Sequence, residues 1–218
     1  MTFPRPALCL VTRVRGREGS PERAQLLDHL VAAASAGVDL VQVRERQLSD
    51  RALVAFIREL IREVRPFATR VLVNDRTDVA LAAAAGGVHL KSHAPPAPDV
   101  RSIVPDGFLI GRSVHSLAEA EAASARGGCD YLMFGTVYPS ASKPADHPIA
   151  GIEGLKAVCR GVTTPVLAIG GITIERAPAV SAAGAGGIAA ISLFSNSRDL
   201  AADAADLRRA LTLPARND

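Results

Sequence analysis

Eight short apolar runs separated by longer amphipathic segments fill most of this chain, and that alternation leaves few architectures open. The strand-like runs are Ala7–Thr12, Val38–Arg44, Arg70–Asn74, Gly87–Lys91, Phe108–Ser113, Tyr131–Val137, Pro165–Gly170 and Gly187–Leu193. Between them the spacing predicts helices over Pro21–Ala36, Asp50–Val64, Arg76–Ala85, Ser116–Arg126, Ile152–Cys159, Ile174–Ala183 and near Arg198–Leu211. A weaker segment, Pro98–Val104, reads as a turn or two of helix. Continuous apolar strands joined by helices belong to parallel sheets covered on both faces. Eight such units predict an α/β protein, a closed (βα)8 TIM barrel. It is expected to be a single domain over 1–218, with a loose tail from about 213. The rival is an open doubly wound sheet. In either architecture a ligand meets the C-terminal ends of the strands.

Local signals agree with that reading. Ser49 before Asp50, Ser116 before Glu119 and Thr173 before Arg176 are expected helix N-caps. Gly37, Gly86-Gly87, Gly127-Gly128 and Gly184 stand where helices should close before the next strand.

Composition excludes several function classes. The net charge of +3 comes from dispersed arginines without basic tracts or stacked aromatic patterns, so no nucleic-acid partner is expected. The longest apolar run, Val79–Ala85, is far short of a membrane span, so no membrane partner is expected either. Met1–Pro6 is not followed by a long apolar region, and a cytoplasmic location is expected. Cys9, Cys129 and Cys159 lack CxxC spacing and read as reduced core residues.

Candidate chemistry is confined to the strand ends. After the second strand, alternation turns Gln42, Arg44 and Arg46 to one side, where an amide and two guanidiniums can converge on an anion. The third strand ends in Asn74-Asp75-Arg76, an acid that can hold a metal, orient a cationic ring or cap a helix. In the fourth, His89 reads as a satisfied barrel histidine; Lys91 and His93 follow it, without metal-cluster spacing. Ser113 and His115 alternate to the same side after the fifth strand, so a hydroxyl and an imidazole can reach one substrate. The sixth leads through Gly135-Thr136 into a small-residue loop carrying Lys143, suited to a mobile cover. Gly170-Gly171 and Ser192, after the last two strands, suit backbone binding of a phosphate.

With these residues in place, the chain resembles the thiamine phosphate synthase/TenI family over nearly its whole length. The blocks carrying the resemblance are Val41–Arg46, Val73–Ala80, Gly87–Leu90, Gly111–Ser116, Asp130-Tyr131 through Gly135, Lys143 and Ala168–Thr173. It implies a (βα)8 barrel acting in thiamine biosynthesis, and the family has two activities. A synthase ionises a hydroxymethylpyrimidine diphosphate and captures the pyrimidine cation with a thiazole phosphate. By resemblance, Gln42, Arg44, Asn74 and Lys143 would then contact the diphosphate, with Arg46 where a lysine is usual. Asp75 would be one magnesium ligand and Ser113 would face the pyrimidine. Gly170, Gly171 and Ser192 would hold the thiazole phosphate. The second metal ligand of that branch falls on Ala94, and Lys91 nearby would repel a cation.

The TenI-like thiazole tautomerases share the Arg-Glu-Arg and Gly-Arg-Ser-Val-His-Ser segments more closely and need no metal. Thr136 stands where that branch has a histidine, leaving His115 as the expected acid/base, with Ser113 and Thr136 beside it. The reading adopted from sequence is therefore a tautomerase, an isomerase without cofactor. The alternatives are a magnesium-dependent synthase, a transferase, and a non-catalytic binding or regulatory protein. The expected partners are a phosphorylated thiazole and, for the synthase, a pyrimidine diphosphate, with a homodimer compatible with such a barrel.

Overall fold

Alternation along eight short strands sorts their side chains between two cores. The structure, a computed structural model, describes residues 3, 6–13, 20–45, 47–140, 144 and 146–212. The strands are β1 (Ala7–Val11), β2 (Leu40–Val43), β3 (Arg70–Asn74), β4 (Gly87–Leu90), β5 (Leu109–Val114), β6 (Tyr131–Phe134), β7 (Val166–Ile169) and β8 (Gly187–Ala190). All pair in parallel with their sequence neighbours, and β8 returns to β1 through Leu8↔Ile188, closing the barrel. The predicted (βα)8 TIM barrel is the fold, and the open sheet is excluded.

The helices are α1 (Pro21–Ser35), α2 (Asp50–Val64), α3 (Thr77–Ala82), α4 (Ala97–Arg101), α5 (Leu117–Arg126), α6 (Gly151–Gly161), α7 (Ala177–Ala182), α8 (Ser192–Ser195) and α9 (Leu200–Thr212). Leu8, Leu10, Val41, Val43, Val71, Val73, Val88, Ile110, Leu132 and Phe134 point outward into the main core, against Leu30, Phe56, Leu60 and Val158 of the helices. The residues between them, including Cys9, Leu40, Leu72, Leu109, Tyr131, Met133 and Leu167, fill the barrel interior as a second cluster. Burial of this kind is worth about 25 cal/mol per Å² of apolar area and is what closes the sheet.

The largest interior side chain dictates a glycine. Tyr131 is fully buried and lies opposite Gly111 in the β5–β6 register. A Cβ at Gly111 would fall 2.0 Å from the Tyr131 ring, so the phenol occupies the space a side chain there would need.

Three local expectations are corrected. The run Gly187–Leu193 is not one strand: after Ala190 the backbone turns at Ile191 (φ −102°, ψ −73°) into α8, which buries Phe194. No glycine or proline marks that change, so the apolar run hides it. Thr173 does not cap a helix with its side chain; its carbonyl accepts from the N–H groups of Arg176 (3.2 Å) and Ala177 (3.1 Å), and α7 begins later. Only Cys9 is fully buried, while Cys129 and Cys159 are half-buried. Ser49 and Ser116 do cap α2 and α5, accepting from Ala52 N–H (3.3 Å) and Glu119 N–H (3.2 Å). The tail expected from about 213 lies outside the described residues, and no helix is long and apolar enough to cross a membrane among the described residues.

Candidate active site

The C-terminal ends of the strands surround a cavity of ≈ 350 Å³. Strand alternation delivers Gln42, Arg44, Asn74, His89, Ser113 and His115 to it from one half of the barrel. Thr136, Gly170, Gly171 and Ser192 reach it from the other half. At the end of β2, the Thr12 hydroxyl ties two strands together. It accepts from Arg44 N–H (2.8 Å) and donates to the buried carboxylate of Glu45 (2.5 Å). Gln42 Nε2 donates to Asn74 Oδ1 (2.9 Å), while Gln42 Oε1 is buried without a hydrogen-bond partner among the described residues. An unsatisfied buried acceptor lining a cavity is an orientation point for a ligand donor.

His89 connects the barrel interior to this cavity. Its Nδ1 lies 3.0 Å from the Tyr131 hydroxyl and its Nε2 2.9 Å from Ser113 Oγ. Burial pushes the imidazole down to about 3, with Asp75 opposing and Arg44 adding to the shift. The ring is therefore neutral, and one nitrogen donates while the other accepts. This is the satisfied barrel histidine expected from sequence, and it orients the Ser113 hydroxyl. His115 is held differently: its Nδ1 lies 2.6 Å from the Gly135 carbonyl, which can only accept, so Nδ1 donates.

On the opposite wall, β7 continues as a ladder with the segment after β6. Val137 N–H donates to Ile169 O (3.0 Å) and Tyr138 N–H to Gly170 O (3.0 Å). That close approach, with φ of +101° and +61°, demands glycine at 170 and 171. A Cβ at Gly170 would meet Thr136 Cγ2 at 2.5 Å, and one at Gly171 would meet Pro139 O at 2.3 Å. Arg176 braces the same corner, donating to Gly171 O (2.6 Å) with its guanidinium 4.5 Å from the Tyr138 ring centre.

The residues where the family resemblance puts magnesium do not fit that ion. Asp75, at φ +64°, directs one carboxylate oxygen to Lys91 N–H (3.2 Å) and the other to Lys91 Nζ. Burial raises this carboxyl, but the hydrogen bonds and charge of Lys91, with His93, outweigh it and hold Asp75 below the ordinary carboxylate range. Ala94 offers no ligand; it packs against the main core. Arg112 points away from the cavity and ties down this loop through the carbonyls of Pro95 (2.9 Å), Ser92 (2.6 Å) and Ala94 (3.1 Å). No group of three His, Cys, Asp or Glu side chains able to hold a metal occurs among the described residues. A hard dication needs several oxygen ligands, preferably anionic ones.

Of the predicted site residues, Gln42, Arg44, Asn74, Ser113, His115, Thr136, Gly170, Gly171 and Ser192 line the one cavity. Asp75 instead pairs with Lys91. Arg46 and Lys143 lie outside the described residues. Sequence reasoning missed Arg13, which directly follows the first strand run and lines the cavity, and Arg176, which falls within the helix predicted over Ile174–Ala183. Lys91, read there as a group repelling a cation, takes the cation's place on Asp75.

Comparison with known proteins sets this geometry in context. The family model described as thiamine monophosphate synthase matches residues 8–194. A thiamine-phosphate synthase of Methanoculleus marisnigri is 42% identical over 177 residues, covering 81% of this chain and 83% of that protein. One from Methanocella arvoryzae is 38% identical over 176 residues, covering 81% and 82%. The solved thiamine phosphate pyrophosphorylase of Pyrococcus furiosus superposes with a TM-score of 0.80 at 32% identity, over 94% of this chain and 95% of that one. A 3-hexulose-6-phosphate synthase (TM-score 0.67, 19% identity) shares the fold alone.

These relatives overturn the expected thiazole tautomerase, and with it the isomerase class: they are named synthases, which are transferases. The physical reason lies in the segment that suggested otherwise. Within Gly111–Ser116, Gly111 makes room for Tyr131, Arg112 fastens a loop and Ser116 caps α5. Much of that similarity is scaffolding and does not discriminate between activities.

Proposed function

This chain belongs to the thiamine monophosphate synthase family, and on that premise we propose that it couples a pyrimidine diphosphate to a thiazole phosphate. In this transfer the bond between the pyrimidine methylene and the diphosphate oxygen breaks, and the diphosphate leaves with the electron pair. The lone pair of the thiazole ring nitrogen then forms the new C–N bond, giving a thiazolium phosphate. Neither an oxidant nor a reductant is required.

The observation that carries the reading is the opposition of two walls across ≈ 350 Å³. Gln42, Arg44 and Asn74 present an amide pair and a guanidinium, a set suited to the departing diphosphate. Gly170, Gly171 and Ser192 face them with backbone and hydroxyl groups suited to the thiazole phosphate. Ser113, oriented by neutral His89, supports the assignment of the space between them to the pyrimidine ring. His115 and Thr136 then line that space. By family resemblance Lys143 would also contact the diphosphate and Arg46 would stand where a lysine is usual; both lie outside the described residues. The chain would act as one domain and, like its relatives, in thiamine biosynthesis; a cytoplasmic setting and a homodimer are compatible with it. No step is assigned to magnesium, because Asp75 and Ala94 do not offer its ligands.

Incubating the purified protein with both precursors tests the proposal. Thiamine phosphate and inorganic diphosphate should appear in equal amounts, and Arg44→Met should slow their appearance. If neither product forms while both precursors bind, the proposal fails.

A further inference from the structure

The mouth of the barrel carries charge of one sign. Among the described residues lining it, Arg13, Arg44 and Lys91 are cationic, and none is an aspartate or glutamate. Asp75 has both carboxylate oxygens engaged by the same residue, one by Lys91 N–H and the other by its ammonium. The chain thus places a lysine Nζ against the carboxylate that would otherwise recruit a cation. The loop after β4 offers no second carboxylate, since Ala94 packs against the core and Arg112 fastens the carbonyls of Ser92, Ala94 and Pro95.

We infer that Lys91, anchored on Asp75, is the resident cation of this site, so that it takes the diphosphate group without a divalent metal ion. The inference rests on the synthase reading and names how its leaving group is held. An ammonium is a compact point charge with three donors. Asp75 engages one of them and the rest can donate to diphosphate oxygens, beside Arg44 and Arg13. As the carbon–oxygen bond breaks, charge accumulates on the diphosphate, and a fixed ammonium meets it without having to reorganise. Asp75 becomes a positioning residue: it holds Lys91 at the rim instead of ligating a metal.

Two direct binding measurements on the intact protein test this. Inorganic diphosphate is titrated calorimetrically in the presence of EDTA, and Mn²⁺ is titrated while the free ion is followed by electron paramagnetic resonance. Wild type should bind diphosphate in EDTA and show no Asp75-dependent Mn²⁺ site. Lys91→Met should weaken diphosphate about tenfold, the value of one charge-assisted hydrogen bond, while Lys91→Arg should retain it. The double variant Lys91→Gly/Ala94→Asp should gain a Mn²⁺ site and bind diphosphate only with the metal. A wild-type Mn²⁺ site that Asp75→Asn abolishes would overturn the inference. So would diphosphate binding in EDTA that Lys91→Met, folded by circular dichroism, leaves unchanged, or thiamine phosphate synthesis that chelator stops. Failure of the synthase reading looks different: no thiamine phosphate under any condition, while diphosphate binding still depends on Lys91 in EDTA, which supports the present inference.

Discussion

Acidification from pH 7 to pH 5 should destabilise this barrel by about 2 kcal/mol through His89 alone. The ring is buried between the Tyr131 and Ser113 hydroxyls, and its pKa is held down to about 3 from an ordinary 6.5. Burial is the main cause; Arg44 acts in the same direction and Asp75 against it. Between these two values the unfolded chain binds a proton that the folded chain refuses. Stability is therefore complete above pH 6.5 and declines as pH falls, by about 2 kcal/mol at pH 5 and approaching about 5 kcal/mol near pH 3. Urea denaturation of wild type and His89→Gln at pH 7, 6 and 5 isolates this contribution. Glutamine offers a donor and an acceptor to the same hydroxyls but does not titrate. The variant should start less stable at pH 7 and lose about 2 kcal/mol less than wild type on reaching pH 5, with m unchanged. Equal losses in the two proteins would refute the account of His89 as a ring kept neutral by burial.

Other perturbations follow from contacts already described. Gly111→Ala puts a Cβ 2.0 Å from the Tyr131 ring and should cost about 1–3 kcal/mol in urea denaturation, by overpacking the interior. Gly170→Asp, at φ +101° and 2.5 Å from Thr136, should abolish inorganic phosphate binding measured calorimetrically; unchanged affinity would remove Gly170 from the site. Arg176→Ala loses the contact over Tyr138 and the bond to Gly171 O, and should cost about 0.5–1 kcal/mol of stability. It should also raise KM for the thiazole phosphate more than it lowers kcat, since it braces the wall without occupying the cavity.

Much of the candidate site was legible because strand periodicity is rigid. Once Val41 and Val43 face the helices, Gln42 must face the interior and Arg44 the rim above it; the same rule brings Ser113 and His115 together. The Arg112 side chain obeys it too, yet its role depends on the carbonyls of a loop distant in sequence, which no spacing reveals. The function assignment went astray there. Residues shared for scaffolding were read as marks of chemistry, whereas the relatives at about 40% identity are synthases. The helix at Ser192–Ser195 escaped notice for a simpler reason: Ile191, Leu193 and Phe194 extend an apolar run across a change of backbone conformation.

By itself, the order of apolar runs and amphipathic segments determined a parallel α/β protein with the barrel as its leading architecture, the strand ends on which chemistry can sit, and most of the groups available there. Those are consequences of local periodicity, and every residue carries its share of that signal. Only the tertiary structure decided which charges neutralise one another. Asp75 reads as a metal ligand beside a repelling lysine until the β3 and β4 ends are brought side by side, where Lys91 grips both its oxygens. Electrostatic energy depends on distances between groups, and residues sixteen positions apart acquire theirs only when the barrel closes.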